Sequence, residues 1–361
     1  MMTNVSRRPA LHRMFIYAVI ALVLLALPFV VDVTLGRAWV RIMDVALLFV
    51  MLALGLNIVV GFAGLLDLGY IAFFAVGAYC YALLASPHFD IHWPFVLLLP
   101  LCAVIAGGFG FLLGAPTLKL RGDYLAIVTL GFGEIIRIFL VNLNRPINIT
   151  NGPRGITLID PLAAGGISLS QTHTIAGVTI APVHAYYFVF LACALATIFV
   201  SGRLENSRIG RAWVAIREDE LAAKTMGINT RNIKLLAFAM GASFGGIAGG
   251  LFASFQGFIS PESFTLHDSI MVLCMVVLGG MGNVGGVVLG AVLLTALPEA
   301  LRHTGTLQQE WLGTVYVDPS DLRMLLFGLA LVLVMLFRPA GLWPSAVRKR
   351  EFVTDPEASA P

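Results

Sequence analysis

Two residues of opposite charge lie three positions apart inside an otherwise apolar run. Glu134 and Arg137 belong to Leu125–Val141, a run long enough to cross a membrane as one helix. Residues at this spacing share a helix face, so the two side chains can form an ion pair. A charge at the centre of a membrane helix costs about 2.5–3.5 kcal/mol or less, so such residues usually face a cavity or a partner. The pair therefore lines or gates a translocation pathway, compensates its own charges structurally, or lets Arg137 reach the outer membrane surface.

A third charged group, Asp67, falls in a glycine-rich stretch between two apolar runs. Gly61, Gly64 and Gly69 surround it, and Tyr70 follows directly. Glycine permits a bent backbone or a close approach of two chain segments. The stretch is either a pathway element at membrane depth, with Asp67 and Tyr70 as its polar groups, or a cytoplasmic turn with a solvated carboxylate.

The most polar internal segment is Arg203–Lys234, which carries seven Lys and Arg residues between two apolar runs. Within it, the pattern E-x-A-A-x-x-x-G runs from Glu220 to Gly227. Good helix formers predict one helix over Arg208–Met226, which Gly227 would end. The segment is predicted to be a docking surface for another protein, with a solvated amphipathic loop as the alternative. Its apolar contacts would come from Trp213, Ile216, Leu221 and Met226, and its small residues Ala222 and Ala223 would let a partner approach closely.

Motifs for chemistry are missing from the chain. No lysine directly follows a glycine, so the phosphate loop G-x-x-x-x-G-K-[ST] is absent, as are G-x-S-x-G and H-E-x-x-H. The seven His residues are scattered and the four Cys residues form no C-x-x-C pair. The sequence therefore argues against an enzyme, a metal site and ATP binding in a phosphate loop, and it shows no typical cation-channel filter.

Composition places these residues in a membrane. Hydrophobic residues make up 58% of the chain and charged residues 12%, with a mean hydropathy of +0.90, whereas soluble domains carry about 25% charged residues. The net charge of +3 does not favour nucleic acid as a partner. We predict an all-α integral membrane protein with the lipid bilayer as its main solvent. Candidate spans are Met14–Val30, Val45–Val60, Tyr70–Ala85, Phe95–Leu113, Leu125–Val141, Ala185–Ser201, Leu235–Phe258, Ser269–Leu297 and Leu322–Phe337.

The run Ser269–Leu297 is ambiguous because Gly279–Asn283 interrupts it. It is either a discontinuous helix lining a pathway, with Asn283 as a pathway residue, or two short spans joined by a turn. Lys and Arg accumulate on the cytoplasmic side of a membrane, and that rule favours a pair of short segments here. We predict a bundle of about ten segments, some short or discontinuous, with both termini cytoplasmic. Arg37 and Arg41 conflict mildly with this scheme, since they fall in the predicted outer loop after the first span.

The predicted organisation follows from these spans. Residues 1–13 form a cytoplasmic N-terminus, residues 14–337 the membrane domain and residues 338–361 a cytoplasmic tail. Residues 203–234 form a cytoplasmic loop, and residues 142–184 an outer segment of turns and short extended pieces. Glycines spaced by four predict close helix contacts, either inside one bundle or at a subunit interface. These rows are Gly241, Gly245 and Gly249 with Gly246 and Gly250 beside them, Gly282, Gly286 and Gly290, and Gly110 with Gly114.

The cytoplasmic pattern resembles the coupling loop by which ABC importer permeases contact their ATPase subunits. From about Ala46 to Phe337, the chain is similar to branched-chain amino acid ABC permeases, and among them to the M-type subunit. The stretches that carry this resemblance are Arg208–Ile228, Gly55–Tyr79, Leu120–Tyr124 and Asn151–Ile156. Urea and short-chain amide permeases share much of this motif set, so their substrates remain an alternative, and a self-sufficient secondary transporter is a further one.

The resemblance implies a permease subunit of a bacterial inner-membrane importer for leucine, isoleucine and valine. Such a subunit would pair with a homologous second permease and receive substrate from a periplasmic binding protein. Two ATPase subunits would bind ATP and magnesium, so this chain would hold no cofactor. The loop reads Glu-Leu-Ala-Ala where the family pattern has Glu-Ala-Ala. Coupling is therefore assigned to the matching Glu220, Ala222, Ala223 and Gly227, with Trp213 and Arg217 added from the same predicted helix.

Overall fold

A computed structural model describes residues 8–117, 120, 122–164, 167–175 and 178–312, together with short pieces between 328 and 343. Eleven helices occur in these residues, and the long ones pack side by side into a bundle. The helices are α1 (Arg8–Thr34), α2 (Arg37–Asn57), α3 (Ile71–Leu84), α4 (Phe95–Thr117), α5 (Asp123–Asn142), α6 (Pro182–Glu205), α7 (Arg208–Glu218), α8 (Glu220–Thr225), α9 (Thr230–Gln256), α10 (Leu266–Gly279) and α11 (Val284–Leu312).

The described helices confirm an all-α polytopic membrane protein. Six helical stretches are long and apolar enough to cross a membrane, and three shorter apolar helices accompany them. The predicted span Leu322–Phe337 and the tail 338–361 lie largely outside the described residues. The predicted outer loop at Arg37 and Arg41 is wrong, because α2 already begins at Arg37. Arg41 is held there by Gln256 at the end of α9, which accepts a hydrogen bond from the guanidinium at 2.9 Å.

Helix α9 is the centre of the bundle because its glycines admit neighbouring backbones on several sides. A methyl group on Gly241 would lie 2.8 Å from the Gly55 carbonyl oxygen of α2. One on Gly249 would overlap backbone atoms of α3, and one on Gly246 would overlap the Cys102 carbonyl of α4. Of the two readings of this glycine row, the structure therefore supports packing within one chain. Close approach of this kind maximises van der Waals contact where lipid supplies no hydrophobic driving force.

Two elements of the bundle are discontinuous. Helix α2 ends in a π-helical turn, Ile58–Phe62, and the chain then runs without regular structure until α3 begins at Ile71. Helices α3 and α10 have 14 residues each, a rise of about 21 Å against a hydrocarbon core of about 30 Å. Helix α11 folds back along α10, since a methyl group on Gly290 would overlap the Met275 carbonyl. The interrupted run is thus a hairpin of two helices, one of the two predicted arrangements.

Short strands collect at the end of the bundle opposite α7 and α8. They are β1 (Ala85–Ser86), β2 (Ile91–His92), β3 (Ile156–Thr157), β4 (Ala163–Ala164), β5 (Ile167–Ser168), β6 (His173–Ile175), β7 (Val178–Ile180) and β8 (Phe258–Ile259). Each pairs antiparallel with one other strand, and β3 with β8 joins the segment after α5 to the end of α9. The described residues between α5 and α6 therefore form turns and short extended pieces, as predicted for 142–184.

Candidate functional site

The segment with the E-x-A-A-x-x-x-G pattern folds as two helices, so the single predicted helix over Arg208–Met226 is wrong. Ser207 caps α7 by accepting a hydrogen bond from the Gly210 amide. Asp219 adopts an extended backbone between α7 and α8, and its carboxylate accepts hydrogen bonds from the amides of Leu221 and Ala222. An aspartate that bonds nearby amides competes with a continuous helix and favours a cap. Gly227 follows the end of α8 and stops the helix, as predicted, with a φ of +86° that favours glycine.

The apolar side chains of this segment divide into two groups. Trp213 is fully buried, donates its indole N–H to the Ile233 carbonyl at 2.8 Å and stacks on Phe62. Ile216 is buried too, so the expectation that these two side chains face a partner is corrected. Leu221 and Met226 are 72% and 84% exposed. Only the second group leaves apolar surface for another protein, because α7 already packs against the bundle.

Two charged pairs of this segment lie within the chain. The Glu220 carboxylate lies 2.7 Å from the Lys234 ammonium, and only 7% of the Lys234 side chain is exposed. Arg217 donates to the Gly61 carbonyl at 2.9 Å and to the Glu218 carboxylate at 3.0 Å. Ala222 is exposed and Ala223 buried. Of the six residues assigned to ATPase coupling, Ala222 and Gly227 are open to contact, whereas Trp213, Arg217, Ala223 and Glu220 mainly contact this chain.

A cavity of about 220 Å³ lies between this segment and the irregular stretch after α2. Glu220, Lys234 and Arg217 line one side, and the backbone of 63–66 lines the other. Asp123 and Gly122, at the start of α5, close a third side. The cavity therefore lies where α7, α8, the start of α9 and the stretch after α2 meet.

Asp67 is buried, which excludes the solvated turn. It is 1% exposed, and its Oδ1 accepts a hydrogen bond from the Gly69 amide at 2.9 Å. Its Oδ2 has no hydrogen-bond partner among the described residues. Tyr70 donates its hydroxyl to the Gly241 carbonyl at 2.9 Å. Both predicted pathway residues therefore lie inside the bundle, where an unpaired carboxylate oxygen is costly.

Glu134 and Arg137 form the predicted ion pair on α5. The Arg137 Nε donates to both carboxylate oxygens of Glu134 at 3.1 Å. Glu262, beyond β8, lies 3.6 Å from the other side of the guanidinium. A second cavity, of about 160 Å³, has Glu134, Leu68 and Ile71 in its wall. The structure thus brings the charged pair next to the irregular Asp67–Tyr70 stretch.

Asn283 lies in the turn between α10 and α11, and Asn57, which sequence reasoning missed, contacts the same turn from the end of α2. Asn283 caps α11 by accepting from the amides of Gly285 and Gly286. Asn57, fully buried at the end of α2, accepts a hydrogen bond from the Gly282 amide at 2.8 Å. A lone amide in an apolar run was the signal that could have found Asn57. Asn283 does not contact Asp67, Glu134 or Arg137 in any described hydrogen bond or ion pair, so its pathway role stays a prediction.

Comparison with known proteins gives a consistent family. A family model described as "Branched-chain amino acid transport system / permease component" matches residues 38–335. The chain is 42% identical over 345 residues to the high-affinity branched-chain amino acid transport system permease protein LivM of Escherichia coli (strain K12), covering 92% of this chain and 75% of that protein. It is 27% identical over 299 residues to the corresponding LivH protein of Salmonella typhimurium, covering 81% of this chain and 90% of LivH. No solved structure matches the chain.

Proposed function

Because the chain belongs to the family of branched-chain amino acid transport permease components, we propose that it is a permease subunit of an ATP-driven importer for leucine, isoleucine and valine. The second permease is a homologous chain, since relatives of both the LivM and LivH kinds align with this sequence. The remaining partners are two cytoplasmic ATPases and a periplasmic binding protein. The chain sits in a bacterial inner membrane with both termini cytoplasmic, and ATP with magnesium binds to the ATPases.

The exposed apolar surface of α8 and of Met226, which directly follows it, is the observation that carries the ATPase contact. Leu221 and Met226 stand out of a polar segment with 72% and 84% of their surface exposed. Exposed apolar side chains on a short helix suit insertion into a groove of another protein. The chain itself has no phosphate loop, so the energy for transport is supplied by that partner.

The surface of α5 supports the position of the second permease. Only 22% of this span is buried, against 83% of the span that contains α2. The Glu134 and Arg137 side chains on α5 are 41% and 29% exposed. Charged groups exposed to lipid are costly at membrane depth. We therefore place the second permease over this face, with Glu134 and Arg137 at the contact between the two chains. Asp67 and Tyr70, which are buried inside this chain, and Asn283 remain proposed pathway residues.

Substitution of the exposed α8 residues tests the ATPase contact. Leu221→Ser and Met226→Ser together are expected to reduce co-purification of the ATPases and uptake of labelled leucine by at least about tenfold, a loss of roughly 1.4 kcal/mol. Arg231→Ser, at an exposed position of the same polar segment, is the matched control and keeps both. Membrane insertion of all variants is followed by protease accessibility. Normal ATPase binding and uptake in the double variant would refute α8 as the docking surface, and uptake of urea in place of leucine would correct the substrate.

A further inference from the structure

Arg217 contacts the irregular stretch after α2 and not the exposed surface of α8. Only 16% of its side chain is exposed, and its guanidinium donates to the Gly61 carbonyl at 2.9 Å. The side-chain stem lies against Gly64, where φ is +68° and a methyl group would overlap the Arg217 carbons. Gly64 therefore leaves the space through which Arg217 reaches Gly61.

Gly61 also packs against the turn of the hairpin between α10 and α11. A methyl group on Gly61 would lie 2.6 Å from the Gly282 amide nitrogen. The same amide donates to Asn57 Oδ1 at 2.8 Å, one turn earlier in α2. Gly61 belongs to the π-helical turn Ile58–Phe62. Turns of this type are rare in proteins overall, and many of those that occur lie at functional sites. One face of this turn thus holds the hairpin tip, and its Gly61 carbonyl holds Arg217.

Most other contacts of α7 and α8 are made to a different element, although Trp213 also stacks on Phe62 at the end of the π-helical turn. Trp213 donates to the Ile233 carbonyl, and Glu220 pairs with Lys234, so both contacts end on the first turns of α9. Arg217 is the residue of this segment with a described hydrogen bond to the π-helical turn. The cavity of about 220 Å³ lies beside these residues and is lined by Arg217, Glu220 and Lys234. A displacement of the segment therefore reaches α9 through Trp213 and Glu220, and reaches the π-helical turn through the Arg217 hydrogen bond and the stack of Trp213 on Phe62.

We infer that Arg217 is a positioning residue that transmits movement of the ATPase-docking segment to the α10–α11 hairpin through the Gly61 turn. This inference rests on the proposed function and moves Arg217 from the docking surface to the interior of the chain. Packed elements with two discrete arrangements can carry coupling between distant sites. Here Arg217 and Asn57 hold two sides of one turn, so a shift of α7 changes the position of Gly282.

Removing the Arg217 guanidinium should uncouple ATP hydrolysis from leucine transport without loss of complex assembly. Arg217→Met keeps the stem beside Gly64 but removes the donor to Gly61. In the complete complex it should retain ATPase binding and ATP hydrolysis, while leucine moved per ATP hydrolysed falls by about fivefold or more. Arg217→Lys keeps a donor and should restore part of the ratio. Arg211→Met, which removes a guanidinium on the exposed side of α7, is the matched control and should leave the ratio unchanged.

A second approach reaches the same contact without changing α7. Gly64→Ala displaces the Arg217 stem and should lower the ratio as Arg217→Met does. Asn57→Leu should also lower it, and the Arg217→Met/Asn57→Leu double variant should be no worse than the poorer single variant, because groups acting through one turn are not additive.

The outcomes separate this inference from the proposed function. Loss of ATPase co-purification in Arg217→Met would make Arg217 a docking contact and overturn the inference. An unchanged transport ratio in Arg217→Met, or additive effects of Arg217→Met and Asn57→Leu, would overturn it as well. If the unaltered complex failed to bind ATPases or to import leucine, the proposed function itself would fall, independently of Arg217.

Discussion

The pair between Glu220 and Lys234 gives an asymmetric prediction, because one partner is much more buried than the other. The Lys234 side chain is 7% exposed and that of Glu220 31% exposed, with 2.7 Å between the charged atoms. Glu220→Gln leaves a buried ammonium without its carboxylate. Lys234→Met leaves a carboxylate that can still reach water and replaces the ammonium by an apolar group of similar length.

The expected free energies of unfolding follow from this asymmetry. Removing one partner of a buried charge pair costs about 3–5 kcal/mol, and the partial exposure of Glu220 reduces this to roughly 2 kcal/mol for Glu220→Gln. Lys234→Met should cost about 1 kcal/mol or less. The Glu220→Gln/Lys234→Met double variant should be close to the original protein, since no unpaired charge remains.

Denaturant unfolding in mixed micelles measures the stabilities, and uptake of labelled leucine by the complete complex measures the function. We expect the double variant to recover both relative to Glu220→Gln. Arg231→Met, an exposed cation on the first turn of the same helix, is the control for loss of positive charge. Equal costs for the two single variants, or a double variant as poor as Glu220→Gln, would refute this reasoning and assign Glu220 to direct ATPase contact.

Three further predictions test other parts of the structure. Gly249→Ala should lower the free energy of unfolding by about 1–3 kcal/mol in thermal unfolding, because the α3 backbone lies against the new methyl group. The control Gly108→Ala places its methyl group in open space and should not destabilise the protein. Equal stability of the two variants would contradict the packing of α9. Gly227→Val should reduce leucine uptake without loss of membrane insertion, since φ is +86° there, and unaltered uptake would remove the role of this turn. Asp160 raises the pKa of the His92 imidazole through a hydrogen bond and through its charge. The stability that this pair contributes is fully present below the ordinary pKa of histidine and is lost as pH rises through the raised pKa. The difference in melting temperature between the original protein and His92→Gln should therefore shrink between about pH 5 and pH 9, and a difference that grows with pH would contradict the pair.

Much of the bundle follows from apolar run length and glycine position. The break at Gly279–Asn283 and the left-handed residue at Gly227 both reflect local backbone chemistry, which a sequence displays directly. Two opposite charges three residues apart in an apolar run are equally visible in the sequence, so the ion pair of Glu134 with Arg137 was predicted correctly.

What the sequence could not reveal is which neighbour covers an amphipathic face. The apolar side of α7 was expected to meet a partner, yet Trp213 and Ile216 are buried against this chain. Helical periodicity defines such a face without identifying the surface that covers it. Asn57 was missed for the same reason, since its hydrogen bond joins residues 225 positions apart. The break at Asp219 could have been predicted from the sequence, because aspartate is a preferred N-cap residue whose carboxylate accepts hydrogen bonds from the first amides of a helix.

Reconstitution in liposomes tests the central claim most directly. The chain is incorporated alone, or together with its homologous permease and the two ATPases, and labelled leucine is offered with the periplasmic binding protein. We predict leucine accumulation only in the complete complex with ATP and magnesium, because this chain is proposed to supply the path and the docking surface but no site for ATP. Leucine transport by the chain alone, at a rate comparable to the complex and without ATP, would contradict it.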